Sequence, residues 1–343
     1  MKIGYMFDET VGLYHYGPKH PMKPFRIMVT HSLVKSMKLE NKITVLKPQL
    51  EKLKYHTESY FKQLGKNETS DCPDFFGLQE FCHKYYSASI NAARYINNKQ
   101  FDVVINWAGG LHHAHKNEPS GFCYVNDIVM AILELLKYNE KVMYIDIDVH
   151  HGDGVEDAFL LNDRVLTLSF HKFGNGFFPE TGSLVTSNYK AVNVPLLSGI
   201  SDEGYQYIFE PIVDECIKKF KPNVIVMQCG ADSLGADRLG VFNLSVYGHA
   251  SCVRLVKNYN ISLIVLGGGG YTLCNVARCW AYETAILCGE EFCDDIPEDN
   301  QFYSYFSPDY KFNPKFKKKV ADKNSKEYLD CISEFICERI NKF

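Results

Sequence analysis

Two aspartates and a histidine alternate in Tyr144-Ile145-Asp146-Ile147-Asp148-Val149-His150-His151-Gly152-Asp153-Gly154. Val142 to Val149 is apolar and β-branched, and Gly152 and Gly154 mark where it stops. It reads as a strand with Asp146, Asp148 and His150 on one face and Ile145, Ile147 and Val149 on the other. A buried carboxylate with no positive neighbour costs roughly several kcal/mol. Three ionisable groups on one face of a buried strand therefore call for a compensating cation, and a bound metal is the natural one. Capping or ion pairing would explain either aspartate alone, but not Asp-x-Asp-x-His-His-Gly-Asp-Gly as a unit.

The rest of the chain must hold that strand in place. Strand patterns occur at Lys2–Phe7, Ile43–Leu46, Phe101–Asn106, Val142–Val149, Val165–Phe170, Ala191–Val194, Asn223–Cys229 and Ile261–Leu266. Helical patterns separate them at Arg26–Lys38, Gln79–Asn97, Phe122–Lys137, Glu203–Phe220, Val246–Lys257 and Thr272–Leu287. The alternation predicts an α/β fold with an eight-stranded, mostly parallel sheet and helices on both faces, and several strands are continuous apolar runs as that demands. Residues 1–295 read as one catalytic domain. From 296 to 343 the pattern loosens, and a terminal amphipathic helix, Ser325–Ile340, is expected to pack back on it.

Ligands of such a sheet bind beyond the carboxyl ends of its strands. Five strands end there in chemistry: Trp107-Ala108-Gly109-Gly110-Leu111-His112-His113, His150-His151-Gly152-Asp153, Ser169-Phe170-His171, Gly230-Ala231-Asp232-Ser233 and Gly267-Gly268-Gly269-Gly270-Tyr271. Asp148, His150 and Asp232 supply three metal ligands with a position left open. That suits catalytic Zn²⁺, and the oxygen-rich set also suits Fe²⁺. Asp146 and Asp153 are suited to orienting His112 and His113. Tyr271, on a flexible glycine run, can donate its hydroxyl to an oxyanion. A phosphate cradle is the rival reading of that run, but no Lys-Ser/Thr follows it. His115, His151 and His171 read as supporting residues, and aromatic counts alone place Phe122 and Phe178 in the core.

The 343 residues carry a net charge of −4, which gives no electrostatic reason for direct, sequence-specific DNA binding. No apolar run approaches membrane-spanning length, so no membrane association is expected. Twelve cysteines without a C-x-x-C pair favour reduced thiols, in nucleus or cytosol. Asn67-Glu68-Thr69 matches a glycosylation acceptor by chance, and Lys315-Phe316-Lys317-Lys318-Lys319 reads as a solvated basic face rather than an import signal.

Taken together, Trp107–His113, Ser120-Gly121-Phe122-Cys123-Tyr124-Val125-Asn126-Asp127, Tyr144–Gly154, Gly230–Ser233 and Gly267–Tyr271 closely resemble the zinc-dependent histone deacetylases, class I in particular. The likeness runs from Tyr5 to about Ala285. It implies the arginase-like α/β fold and hydrolysis of ε-acetyl-lysine in histone tails, hence transcriptional repression in the nucleus, with the cytoplasm as a second location. It makes Asp148, His150 and Asp232 the zinc ligands. His113 with Asp153 becomes the general base and acid, His112 with Asp146 a charge stabiliser, and Tyr271 the oxyanion donor. Gly121, Phe122, Phe178 and Leu239 would line the acetyl-lysine tunnel, Asp71 would bind substrate amides at its rim, and Arg26 would contact acetate. A potassium ion would sit on Asp146, Asp148, His150, Ser169 and Phe170.

The likeness also implies a corepressor complex as partner. Relatives in such complexes bind an inositol phosphate through a basic set matching His15, Lys23 and Arg238. Cys274 replaces the arginine that completes that set, which argues against such control. Glu180 stands where glycine is usual, at the tunnel rim. Two other functions compete: an acetylpolyamine deacetylase on the same scaffold, disfavoured because Leu239 stands where polyamine-selective relatives carry Glu, and a catalytically dead scaffold subunit, disfavoured because every site residue is present.

Overall fold

The computed structural model describes residues 1–66, 69, 71–316 and 319–340. Asn67 and Glu68 of the acceptor-like triplet, and Lys317 and Lys318 of the basic run, lie outside the described residues. In chain order the main elements are β1 (Ile3–Met6), α1 (Arg26–Ser36), β2 (Thr44–Leu46), α2 (Glu58–Lys62), α3 (Leu78–Asn97), β3 (Val103–Asn106), α4 (Asp127–Leu135), β4 (Val142–Asp146) and α5 (Asp153–Phe159). They continue with β5 (Val165–Lys172), β6 (Ala191–Leu196), α6 (Asp202–Phe220), β7 (Val224–Gln228), α7 (Val246–Asn258), β8 (Ser262–Leu266), α8 (Leu273–Cys288) and α9 (Lys326–Ile340).

The strands form one parallel sheet in the order β2-β1-β3-β8-β7-β4-β5-β6. The pleat sorts its side chains to two cores. Val104, Val142, Tyr144, Val226 and Ile264 meet Ala92 and Ile96 of α3, Ile128 and Ile132 of α4, and Val155 and Phe159 of α5. Their chain neighbours Val103, Met143, Ile145, Ile225 and Leu263 face the opposite side, towards Leu33 of α1, Ile212 of α6, Val253 of α7 and Val276 of α8. Both faces are covered, so the strands are apolar without alternation. Leu329, Ile332, Ile336 and Ile340 of α9 join the larger core. Burying each is worth about 1.5–3 kcal/mol, which docks this helix on the body.

The five strands ending in His, Asp or Tyr are β3, β8, β7, β4 and β5, and they are contiguous in the sheet. β6 falls outside them, at the edge. The rim gathered in the sequence is therefore one continuous rim in space.

Two element boundaries differ from the sequence expectation by three residues or more. The central strand ends at Asp146, not Val149, because after Ile147, whose N–H still donates to Gln228 O at 3.1 Å, carboxylates capture the backbone donors. Asp148 N–H donates to Asp146 Oδ1, Val149 N–H to Asp232 Oδ1 and His150 N–H to Asp148 Oδ1, each at 3.0 Å. Asp148 and His150 thus lie on a side-chain-bonded segment beyond the sheet. The helix expected from Phe122 begins at Asp127. Gly121 and Phe122 have φ of 53° and 69°, outside the helical region, and Asn126 Oδ1 caps α4 by accepting from Val129 N–H at 3.1 Å.

Candidate active site

His150 Nδ1 lies 3.1 Å from both Asp148 Oδ1 and Asp232 Oδ2. The three side chains are buried, and their donor atoms all fall within 4.8 Å of one another. Ligands about 2.0–2.1 Å from a tetrahedral ion stand about 3.3 Å apart, so the spacing fits a shared divalent cation. Electrostatics agree. Burial and repulsion from Asp148 push the Asp232 carboxyl up from its usual range, and two buried carboxylates at this separation favour a cation between them.

The other oxygens of the pair are held from behind. Asp148 Oδ2 accepts from Gln228 Nε2 and Gly269 N–H, each at 2.8 Å, and a Cβ at Gly230 or Gly269 would overlap Asp148 or Asp232. Gln228 is an amide ending an apolar strand, as Asn106 is on β3, and that signal is visible in the sequence.

His112 and His113 are each paired at Nδ1, with Asp146 Oδ2 and Asp153 Oδ1, both at 2.7 Å. Asp146 Oδ2 also accepts from the Tyr144 hydroxyl at 2.6 Å. Burial disfavours a charged His112, but Asp146 and Asp148 outweigh it and raise the ring to about 9. Burial and the neighbouring His112 push His113 down to about 4. Burial opposes the ionised Asp153, yet His113 and His115 hold it well below the usual carboxylate range. Burial and the Asp232 and Asp148 carboxylates push Tyr271 well above its ordinary value, so it keeps its proton.

A cavity of about 290 Å³ opens over this cluster, lined by Asp71, Gly121, Phe122, Phe178, Leu239 and Tyr271, with His113 and His150 among its lining residues. Phe122 and Phe178 therefore face the cavity, not the core as their aromatic character alone implied. Phe178 meets His113 edge to face at 4.9 Å, and Phe177 stacks on His150 at 5.2 Å. Asp71 Oδ2 accepts from Gly121 N–H at 2.8 Å. His112 does not line the cavity; its Nε2 lies 3.9 Å from Asp148 Oδ2.

The Arg26 guanidinium donates to Gly270 O at 2.8 Å and Gly268 O at 2.5 Å, and it packs over Trp280. The glycine run is thereby clamped and buried, not flexible as its composition implied. Asp237 adds a second hold, accepting Tyr271 N–H at 2.8 Å and Leu239 N–H at 2.9 Å. Register places Ser169 beside Asp146, with the Ser169 hydroxyl bonded to His171 Nδ1 at 2.9 Å; the Phe170 ring packs into the core on Phe209.

Support for the His112-His113 loop comes from residues no spacing argument singled out. Asp127 accepts from Gly110 and Leu111 N–H. Asn126 Nδ2 donates to His112 O and Ala114 O. His56 secures Asn126: its Nε2 accepts Asn126 N–H at 2.8 Å while its Nδ1–H donates to Lys116 O at 2.9 Å. A second proton would set Nε2–H against that N–H, and burial pushes His56 down to about 4. Its contribution to stability is thus full above about pH 6.5, the unfolded value, and is lost as pH falls towards 4. That loss is about 3 kcal/mol by the unit conversion of 1.36 kcal/mol. Urea unfolding at pH 7 and pH 4.5 should show His56→Gln narrowing the parent's acid destabilisation; an unchanged pH slope would assign the effect elsewhere.

A parallel α/β sheet with this cluster at its carboxyl edge defines the arginase-like class of metal-dependent hydrolases. Residues 20–287 match the histone deacetylase domain, and the chain belongs to the histone deacetylase family. Across 364 aligned positions it is 47% identical to histone deacetylase clr6 of Schizosaccharomyces pombe, covering 99% of this chain and 89% of that protein. Histone deacetylase 1 of Homo sapiens is 47% identical over the same span, with 75% of its length covered.

Proposed function

We propose that the protein hydrolyses the acetyl amide of N-ε-acetyl-lysine in histone tails, giving lysine and acetate. The observation that carries this reading is the convergence of Asp148, His150 and Asp232 beside His113 and Tyr271, under an apolar-walled cavity. Asp148, His150 and Asp232 would hold zinc, with iron(II) the alternative for this donor set. When bound, the ion supplies Lewis-acid polarisation of the acetyl carbonyl and acidifies water in the site.

The chain's own residues do the rest. Phe122, Phe178 and Leu239 accept the aliphatic lysine stem, whose charge acetylation has removed. Asp71, at the mouth, accepts from substrate backbone amides. His113, whose Nδ1–H is fixed on Asp153, takes a proton from the attacking water at Nε2. As the carbon–oxygen bond forms, the Tyr271 hydroxyl donates to the developing oxyanion. The carbon–nitrogen bond then breaks, and His113 returns its proton to the departing amine. His112 lies deeper, against Asp148, and stabilises charge. Arg26 orders the Gly268–Gly270 carbonyls, and any contact with acetate would come from the same guanidinium. We place potassium on Asp146, Asp148, His150 and the Ser169–Phe170 backbone.

We further propose nuclear action within a corepressor complex, on acetylated histones rather than on DNA. Inositol phosphate is not expected to regulate it: besides Cys274, Lys23 Nζ is engaged with Gly17 O and Pro18 O at 2.9 and 3.0 Å. Residues 1–295 would form the catalytic unit, with 296–343 its extension.

Assay of the purified chain on an acetylated histone H4 tail peptide against N-acetylspermidine tests the reading. Peptide should be the better substrate, and preference for the polyamine would overturn it. Leu239→Glu should move the ratio towards the cationic polyamine by about two- to five-fold, the worth of one exposed charge pair.

A further inference from the structure

We infer that His249, held by Glu283, positions Asp232 for metal binding; the inference rests on the ligand set proposed above. His249 on α7 and Glu283 on α8 are fully buried and lie outside the cavity lining. His249 Nδ1–H donates to Glu283 Oε1 at 2.5 Å, and Nε2–H donates to Gly230 O at 2.9 Å. Nε2 faces a carbonyl, which can only accept, so it carries a proton, and Nδ1 shares a proton with the Glu283 carboxyl.

Gly230 opens the turn Ala231–Ser233 that presents Asp232. Its carbonyl also accepts from Ser233 Oγ at 3.1 Å, and its N–H donates to Gln228 Oε1 at 2.8 Å. Ala231 N–H donates to Gly269 O at 3.0 Å, which ties the turn to the run ending in Tyr271. Turning the Gly230–Ala231 peptide would therefore move a ligand and loosen that tie together. Outer partners of this kind set ligand orientation in metal sites.

Two other readings fail on geometry and energy. Donor atoms of His249, Cys279 and Glu283 converge closely enough to suggest a second metal site. However, the 2.5 Å between His249 and Glu283 is a hydrogen bond, well short of the about 3.3 Å separating two ligands of one tetrahedral ion. Nor is the pair simply good packing, since Glu283 Oε2 is buried without a hydrogen-bond partner among the described residues. An unpaired buried acceptor costs about 1–3 kcal/mol. What the carboxyl does supply is a fixed ring: bonded at Nδ1, His249 keeps its Nε2–H on Gly230 O.

Zinc titration of the full chain against a competing chromophoric chelator, with the melting temperature of the metal-free protein, tests this. His249→Ala should weaken zinc binding by about 10–100-fold. Glu283→Gln keeps the shape and lets a neutral ring still bond Gly230, so its loss should be smaller, about three- to ten-fold. Cys279 Sγ also lies 3.3 Å from His249 Nδ1, but a thiol is a weak partner whose loss leaves the Glu283 bond in place, so Cys279→Ala should bind zinc as the parent does. Parent-like affinity in both His249→Ala and Glu283→Gln overturns the inference, as does an equal loss in Cys279→Ala, which would make packing the cause. Should His249→Ala fail to fold, Glu283→Gln decides alone. A parent chain that binds no zinc overturns the proposed ligand set itself, a different result from variants that match a zinc-binding parent.

Discussion

Asp232→Asn is expected to lower zinc affinity by more than the roughly 10–100-fold that changes in outer partners cost, and to take peptide deacetylation to background. The amide oxygen can keep the hydrogen bond from Val149 N–H. Its nitrogen then replaces the anionic oxygen facing His150 Nδ1, and an amide –NH2, whose lone pair is delocalised into the carbonyl, cannot serve as a ligand as a carboxylate oxygen does. Stability should move the other way. Asp148 repels Asp232, and burial disfavours its charge, so the metal-free variant should melt no lower than the parent, while the rise in melting temperature on adding zinc disappears. Undiminished zinc affinity would remove Asp232 from the ligand set.

Tyr271→Phe should behave in the complementary way, with zinc affinity and fold intact and kcat reduced about 10²–10³-fold, the usual cost of one oxyanion donor. The ring packs edge to face on Phe122 at 5.6 Å, a contact phenylalanine retains. Asp237 holds the Tyr271 backbone, so the loss isolates the hydroxyl. A change confined to KM would make Tyr271 a substrate-binding group; near-parent kcat would remove it from the mechanism.

How far such residues could be read from the chain depends on the kind of signal each leaves. The strands were legible because a parallel sheet buried on both faces must be apolar throughout, and Val224–Gln228 and Ser262–Leu266 have no other way to be stable. Asp148, His150 and Asp232 stood out as charges among such runs. Their local backbone did not: period-two alternation implies a ladder to Val149, whereas the carboxylates themselves take the backbone donors from Asp148 to His150. Phe122 faces the cavity because it follows Gly121 in a left-handed conformation, and no hydrophobic pattern encodes that. Asn126, Asp127, Asp237 and His249 act through distant backbone groups. Asn126 and Asp127 show only as members of a family motif, and Asp237 and His249 only as polar residues near an apolar stretch, which is also how a surface residue looks.

The central claim is that a divalent ion on Asp148, His150 and Asp232 enables His113 and Tyr271 to hydrolyse acetyl-lysine. Turnover of an acetylated histone H4 tail peptide should be measured on chelator-stripped protein and again after stoichiometric zinc is returned. Activity should vanish on stripping and return with zinc. Stripped protein that turns over as fast as the reloaded enzyme would contradict the claim.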